Sequence, residues 1–287
     1  MADRPLEPLE RWAELSLTLY TPLLIHPVPL SAPQPTPSSS APPPTNTSRD
    51  RLHHRQTPYG NYKHYYSFRP ASSAPSLAST SPPPPSPLDG RLALLDPALF
   101  AQKSILDLGT NAGKISHELA AQLHANDVLG VDIDPVLVQD AQRIAREQAL
   151  DGRRGTCEFV CDDFMQPGWF AALEQARGRH RFEVVLLFSV TKWLHLHHGD
   201  AGMRALFHSL HALLPPRGVV VVEPQEWENY QRAVKKNKDL REVFKTLEMR
   251  PPFEDEMTGA GFELEKRIER DEGGFSRPLM IWRKSAQ

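Results

Sequence analysis

Residues from about 91 onward predict an α/β fold built on a mainly parallel sheet. Short, wholly apolar runs alternate with helical ones, and the central apolar runs have no polar face, as expected of strands covered on both sides. The first strand is SILDL (104–108), and AGKISHELAAQLH (112–124) then sets Ile115, Leu119, Ala120 and Leu123 on one helical face. DVLGVDI (127–133) is the second strand, and PVLVQDAQRIAREQAL (135–150) starts a helix with proline in its first turn behind Asp134. CEFVC (157–161) and FEVVLLFS (182–189) are the third and fourth strands, MRALFHSLHALL (203–214) is an amphipathic helix ended by PPRG, and VVVVEP (219–224) is the fifth strand. After a basic helical stretch, GFELEKRI (261–268) and RPLMIWRK (277–284) are close enough to pair as an antiparallel edge.

The first 90 residues have a different composition. They hold 19 of the 28 prolines, so segments such as PVPLSAPQPTPSSSAPPPTNTS carry too little apolar surface to offset the entropy of ordering. The expected organisation is a Pro/Ser-rich tail (1–58), an aromatic segment (59–70), a second Pro/Ser-rich linker (71–88) and one folded domain (89–287). The aromatic segment YGNYKHYYSFRP concentrates four of the six tyrosines, Tyr59, Tyr62, Tyr65 and Tyr66. A formal charge of −2 excludes a globally basic nucleic-acid binder but leaves room for local patches in RDRLHHR (49–55) and RAVKKNKDLREVFK (232–245). Two cysteines, Cys157 and Cys161, form no disulfide framework and no four-ligand zinc site. LTLYTPLLIHPVPL is too short and too broken by proline to span a membrane, and no signal peptide flanks it.

Ligands of open parallel sheets bind at the carboxyl ends of the strands. The first strand runs into LDLGTNAGKIS, where Gly109 and Gly113 let the backbone approach a ligand and Asn111 and the amides beyond it can bond to it. The spacing G-x-x-x-G, with Asp107 two residues before the first glycine, departs from the pyrophosphate-binding G-x-G-x-x-G and suits a ligand with a cationic amino group. Asp132 ends the second strand, placed to take two ribose hydroxyls, and Asp163 beside Phe164 offers an acid and a ring to an adenine at the third. Together the three strand ends describe S-adenosylmethionine; the alternative is a doubly wound fold binding another nucleotide.

The fourth strand ends in FSVTKWLHLHHGD, making Ser189, Thr191, Lys192 and Trp193 candidates for contact with the methyl acceptor. His195, His197, His198 and Asp200 invite a metal reading, against which stands their crowding; the competing reading has His195 and Asp200 bracing the loop by hydrogen bonds. After the fifth strand, Glu223, Gln225 and Trp227 in VEPQEWENY fit a pocket lining or core packing with a helix cap equally well.

The motifs YGNYKHYYSFRP, LDGRLALL, LDLGTNAG, VDIDPVLV, FSVTKWLHLHHGD, EPQEW and GGFSRP, in this order, resemble the Bicoid-interacting family of RNA methyltransferases, which includes the methylphosphate capping enzyme of 7SK-type small nuclear RNA. The resemblance covers about 59–284. It implies a class I S-adenosylmethionine-dependent methyltransferase, Rossmann-like, that methylates an oxygen of a 5′-terminal phosphate, in the first instance the γ-phosphate, of a small non-coding RNA. On the same ground, Tyr65, Arg69, Lys192 and Trp193 surround the phosphate end. Tyr66, Arg91, Asp107, Gly109, Thr110, Asn111, Gly113, Asp132, Ile133, Asp163, Phe164 and Phe188 hold the cofactor. The aromatic segment then becomes a lid ordered by ligand, with tyrosine rings that can stack on a base. The resemblance further implies a nuclear location, with the cytoplasm as the alternative, and other ribonucleoprotein subunits as partners; a monomer with no membrane and no metal completes the expectation. Three departures stand out: Thr110 where relatives commonly have cysteine, CDDF in place of a Gly-Asn-Tyr type third strand, and the long insert before LDGR. A non-catalytic RNA chaperone with the same fold, and a methyltransferase acting on protein or a small metabolite, are the competing functions.

Overall fold

The structure is a computed structural model, and it describes Tyr59 and residues 88–150, 155–235, 237–269 and 277–286, the side chains of 149 and 150 excepted. The chain divides into two units, Met1–Tyr62 and Lys63–Gln287. Of the first, only Tyr59 is described, exposed at a turn. The Pro/Ser-rich segments and the lid, with Tyr65, Tyr66 and Arg69, lie outside the described residues.

The second unit is built on a seven-stranded sheet in the order β3-β2-β1-β4-β5-β7-β6. Its strands are β1 (Ser104–Leu108), β2 (Asp127–Asp132), β3 (Thr156–Cys161), β4 (Val184–Phe188), β5 (Val219–Glu223), β6 (Phe262–Ile268) and β7 (Leu279–Lys284). The first five are parallel, and β7 pairs antiparallel with both β5 and β6. The predicted edge pair thus forms, with the later strand on the inside. The helices are α1 (Lys114–Ala121), α2 (Pro135–Leu150), α3 (Trp169–Arg177), α4 (Thr191–Leu213), α5 (Trp227–Val234), α6 (Lys238–Thr246) and α7 (Glu254–Gly259).

Apolarity explains the order of the sheet. Strands β1, β4 and β5 are buried along their whole length and occupy its middle, whereas the edge strand β6 buries Phe262 and leaves Glu263, Leu264, Glu265, Lys266 and Arg267 exposed. Ile115, Leu119, Ala120 and Leu123 all enter the core beside Ile105, Val128 and Val184, as their spacing predicts. The chain moves outward from β1 to β3 and then returns to β4 on the other side of β1. That reversal opens a crevice at the carboxyl ends of β1 and β4, where such sheets take ligands.

The sequence reading differs from the structure most after β4. The stretch TKWLHLHH is the first part of α4, which continues to Leu213 across a break at Gly199, where φ is 64° and ψ −172°. With no apolar period of its own to mark it, this turn is helical because Leu194 and Leu196 bury and the segment docks on its neighbours.

Candidate active site

The β1–α1 loop forms the floor of the crevice. Gly109 has φ of 81°, Asn111 55° and Gly113 75°, all in the left-handed region. A Cβ on Gly109 would lie 2.8 Å from Val190 Cγ2, and one on Gly113 2.8 Å from Ala141 Cβ and Phe159 Cε1, so both glycines are required by shape as well as by torsion. The Gly109 and Thr110 amides donate to the Val131 carbonyl at 2.8 and 3.1 Å, which folds the loop across the end of β2.

Asp107 is 3% exposed, and its Oδ2 accepts from Thr110 Oγ1 at 2.8 Å and Ser116 Oγ at 2.7 Å. Burial raises its pKa, and these two hydroxyls oppose the shift. The acid therefore braces the loop from beneath, and Thr110 has a side-chain role in that brace besides its backbone one. Asp132 joins the adjacent loops: Oδ2 accepts from the Asn111 amide at 2.8 Å and Oδ1 from the Asp134 amide at 3.0 Å. Burial raises its pKa too, against these backbone bonds. A carboxylate has about four acceptor sites, so two bonds to the backbone leave it able to take ribose hydroxyls. Ile133 follows it, half-buried.

At the end of β3 the two acids of CDDF have separate tasks. Asp162 is buried and accepts from Trp169 Nε1 at 2.9 Å and from the Asp163 amide at 2.9 Å. Asp163 stays half-buried and caps the following turn, accepting from the Met165 amide at 3.0 Å and Gln166 Nε2 at 2.6 Å. Phe164 is buried, its ring edge-on to Trp169 at 6.2 Å. The pairing of Leu108 with Val131 and of Asp132 with Cys161 brings these strand ends side by side. A glycine cradle that a Cβ would fill, flanked by carboxylates at consecutive strand ends, fits the aminoacyl, ribose and adenine parts of S-adenosylmethionine.

Across the crevice, Phe188 ends β4 with the Arg91 guanidinium 5.0 Å from its ring centroid. Arg91 is 1% exposed; it donates through Nε to Asp89 Oδ1 at 2.8 Å and through Nη1 to Glu223 Oε2 at 3.3 Å. Burial would raise the Asp89 pKa, but hydrogen bonds and charge from Arg91 override it and hold the carboxyl well below the usual range. Glu223 has no solvent exposure and also accepts from the Ser189 hydroxyl. Removing one partner from such a buried pair costs about 3–5 kcal/mol. The glutamate that ends β5 is therefore an anchor for the β4–α4 elbow and Arg91 rather than ordinary packing.

Ser189 turns the chain from β4 into α4 with φ of 59°, in the left-handed region. Gln225, 2% exposed, secures this elbow: its amide donates to the Ser189 carbonyl, and its Oε1 accepts from Thr191 Oγ1 at 3.2 Å and the Lys192 amide at 3.1 Å. The Lys192 ammonium lies over the Trp193 ring, 4.4 Å from its centroid. Burial, with a smaller contribution from the positive charge of Arg277, lowers its pKa from 10.5 to about 8. Arg277 Nη1 donates to Ser189 Oγ at 2.8 Å.

The histidine-rich turn is a brace. His195 Nε2 lies 2.6 Å from Asp200 Oδ1, and the other Asp200 oxygen accepts from the Glu248 and Met249 amides at 2.8 and 3.1 Å. His197 is half-buried and His198 exposed. Among the described residues no group of three or more His, Cys, Asp or Glu could hold a metal ion, and no helix is long and apolar enough to cross a membrane.

Of the predicted residues, Gly109, Thr110, Asn111, Gly113, Asp132, Ile133, Asp163, Phe164, Phe188, Lys192 and Trp193 stand at or just after the carboxyl ends of β1 to β4, Arg91 lies against Phe188, and Asp107 is buried beneath the β1–α1 loop. The sequence reading missed Arg277, Asp89 and the anchoring role of Glu223. Arg277 stands in the GGFSRP motif, but a single arginine before a strand, among 33 basic residues, carries no local signal of its destination.

Comparison with known proteins agrees with this geometry. Residues 182–284 match the family described as Bicoid-interacting protein 3 (Bin3), and residues 106–220 match a methyltransferase domain. The U6 snRNA methylphosphate capping enzyme Amus of Drosophila melanogaster is 30% identical over 265 residues, 85% of this chain and 83% of that protein. The 7SK snRNA methylphosphate capping enzyme of Mus musculus is 26% identical over 284 residues, 79% of this chain but only 40% of that protein. The RNA 5′-monophosphate methyltransferase of Bos taurus is 31% identical over 210 residues, 64% of this chain and 63% of that protein. The strand ends, the TKW turn and these matches lead to one conclusion: the chain belongs to the Bicoid-interacting protein 3 family of S-adenosylmethionine-dependent methyltransferases.

Proposed function

We infer that the protein transfers a methyl group from S-adenosylmethionine to an oxygen of a 5′-terminal phosphate on a small RNA, most simply the γ-phosphate of a triphosphate end. The observation that carries this reading is Lys192: a half-buried lysine in the first turn of α4, just after the end of β4, with its backbone amide held by Gln225 and its ammonium over the Trp193 ring. When bound, S-adenosylmethionine supplies an electrophilic methyl on a sulfonium.

A terminal phosphate oxygen is already an anion, so the protein needs no strong base and has to hold and aim that oxygen. Lys192 offers three donors on a positive charge. The Gln225 bonds to Thr191, the Lys192 amide and the Ser189 carbonyl hold the backbone from which that charge extends, and the indole beneath it keeps water off one side. The lid residues Tyr65, Tyr66 and Arg69 would close over the RNA end with hydroxyl and guanidinium donors. Association with other proteins of a small ribonucleoprotein, a monomeric state and a nuclear location belong to the same proposal; tagged protein in fractionated cells tests the location.

The test is methyl transfer from labelled S-adenosylmethionine to one short RNA carrying a 5′ triphosphate, monophosphate or hydroxyl. Label on the triphosphate RNA is expected. Label on the monophosphate alone assigns the enzyme to end-blocking of processed RNA. Binding without label on any RNA favours a chaperone role.

A further inference from the structure

The part of α4 that carries Lys192 and Trp193 is short and bracketed by two left-handed residues, Ser189 with φ of 59° before it and Gly199 with φ of 64° after it. A helix of two turns is marginal by itself, so the placing of residues 191–198 depends on what grips each end. Gln225 grips the first end through the Thr191 hydroxyl and the Lys192 amide, at 3.2 and 3.1 Å. His195 grips the second, three positions after Lys192 and without solvent exposure.

His195 has a polar partner at each ring nitrogen. Nε2 lies 2.6 Å from Asp200 Oδ1, and Nδ1 lies 3.4 Å from the hydroxyl of Tyr230, itself fully buried. Burial would raise the Asp200 pKa, but the bonds from His195 and from the Glu248 and Met249 amides override it, so Asp200 is a carboxylate with no hydrogen to give. Nε2 therefore carries the hydrogen. Burial lowers the His195 pKa against the pull of Asp200 and raises that of Tyr230, which leaves Nδ1 bare to accept from the phenol. Partners on both sides thus set the tautomer and the direction of the ring.

The pairing with Asp200 depends on the break at Gly199. Residues five apart on an unbroken helix face about 140° away from each other, too far round for contact. The break brings Asp200 back onto His195, while its other oxygen reaches the Glu248 and Met249 amides after α6. Tyr230 belongs to α5, and Phe253 stands edge-on to the imidazole at 5.3 Å. His195 is where the Lys192 turn meets α5 and the segment 248–253.

We propose that His195 is a positioning residue for the methyl acceptor: through Asp200 and Tyr230 it fixes how residues 191–198 are turned about their axis, and so where Lys192 meets the terminal phosphate. The proposal rests on the 5′-phosphate reading above and adds the device that places its lysine.

The test compares wild type, His195→Phe, His195→Gln and Tyr230→Phe as full chains, with labelled S-adenosylmethionine and one RNA bearing a 5′ triphosphate or monophosphate. It reads the methyl-transfer rate at saturating RNA, the affinity for S-adenosylhomocysteine and the midpoint of urea unfolding. His195→Phe keeps a ring between Tyr230 and Phe253 and loses both bonds. Its saturated rate should fall about a hundredfold, the effect of an ångström-scale misplacement, with cofactor affinity unchanged. His195→Gln keeps a donor for Asp200 and should recover about tenfold of that loss, the value of one hydrogen bond to a charged group. A merely structural role would lower the urea midpoint and leave the saturated rate of the folded protein where it is; that result overturns the proposal. So does an equal loss of rate in His195→Phe and His195→Gln, or a loss of cofactor affinity that matches the loss of rate. Where His195→Phe does not fold, Tyr230→Phe decides. A saturated rate about fivefold below wild type, the value of one neutral hydrogen bond, supports the assignment, and an unchanged rate overturns it. Each of these outcomes leaves the 5′-phosphate reading intact. Wild-type protein that labels neither RNA overturns that reading and this proposal with it.

Discussion

Lys192 and Asp132 do opposite electrostatic work a few residues from the same crevice. The ammonium is held where burial and a neighbouring cation favour loss of its proton, so in the free protein its charge fades as pH rises through about 8. A lysine needed as a cation then gives kcat/KM for the RNA that falls above about pH 8. Lys192→Arg, whose guanidinium stays charged, should shift that alkaline limb upward while lowering the plateau through altered geometry; a pH–rate series on both proteins checks it. Asp132 carries a second kind of demand, since its oxygens hold the Asn111 and Asp134 amides as well as facing the cofactor site. Asp132→Ala should abolish S-adenosylmethionine binding measured by calorimetry, and unchanged affinity would remove the cofactor assignment. Both residues were singled out in the sequence because Asp132 closes one apolar strand and Lys192 comes soon after another. Arg277 was not, because nothing local to RPLMIW tells where its side chain ends up. Asp107 was legible as a site acid but not as a brace, since the Ser116 hydroxyl that fixes it belongs to the next helix.

At the scale of elements, the elbow between β4 and α4 carries the residues proposed to meet the RNA end. Its geometry depends on a residue of a different strand end, Gln225, which satisfies the Ser189 carbonyl, the Thr191 hydroxyl and the Lys192 amide together. Gln225→Ala should lower kcat/KM for the RNA by about a hundredfold, the usual consequence of a small misplacement, with S-adenosylmethionine affinity nearly unchanged. Steady-state kinetics and calorimetry on one preparation check both halves. Further along, α5 and α6 are joined by an aromatic clasp: Trp227 stacks on Phe244 at 4.7 Å, and the Arg250 guanidinium lies 4.0 Å over the same indole. The clasp leaves Arg232, Lys235, Lys238, Arg241 and Lys245 of this basic region exposed. The strands were legible because continuous apolar runs have few other solutions. The start of α4 was not, because its helical form comes from docking: His195 and Asp200 tie it to residues 248 and 249 far along the chain.

The whole molecule combines a fold that many ligands could use with site residues drawn from every part of the domain sequence, from Arg91 to Arg277. The alternation of strands and helices made the parallel sheet and its ligand-binding edge predictable; the insertion of β7 between β5 and β6 was not, since pattern alone gives a hairpin without saying which strand lies inside. The function of the Pro-rich tail and the lid is a question for truncation. Removal of 1–58 should leave methyl transfer intact, and removal of 1–70 should destroy it by taking Tyr65, Tyr66 and Arg69. Full activity in the longer truncation would overturn the lid assignment.

The inside position of β7 also bears on synthesis. A ribosome delivers β6 before β7, yet β6 can join the sheet only through β7, and the outer edge of β5 stays without its partner until residues 279–284 have emerged. A nascent chain can assemble the cofactor half, β1 to β5, and still carry a raw strand edge and an unfinished acceptor site. Arg277 arrives with the same segment that closes that edge, so the strand that completes the fold and the guanidinium that bonds Ser189 at the elbow become available in a single late event.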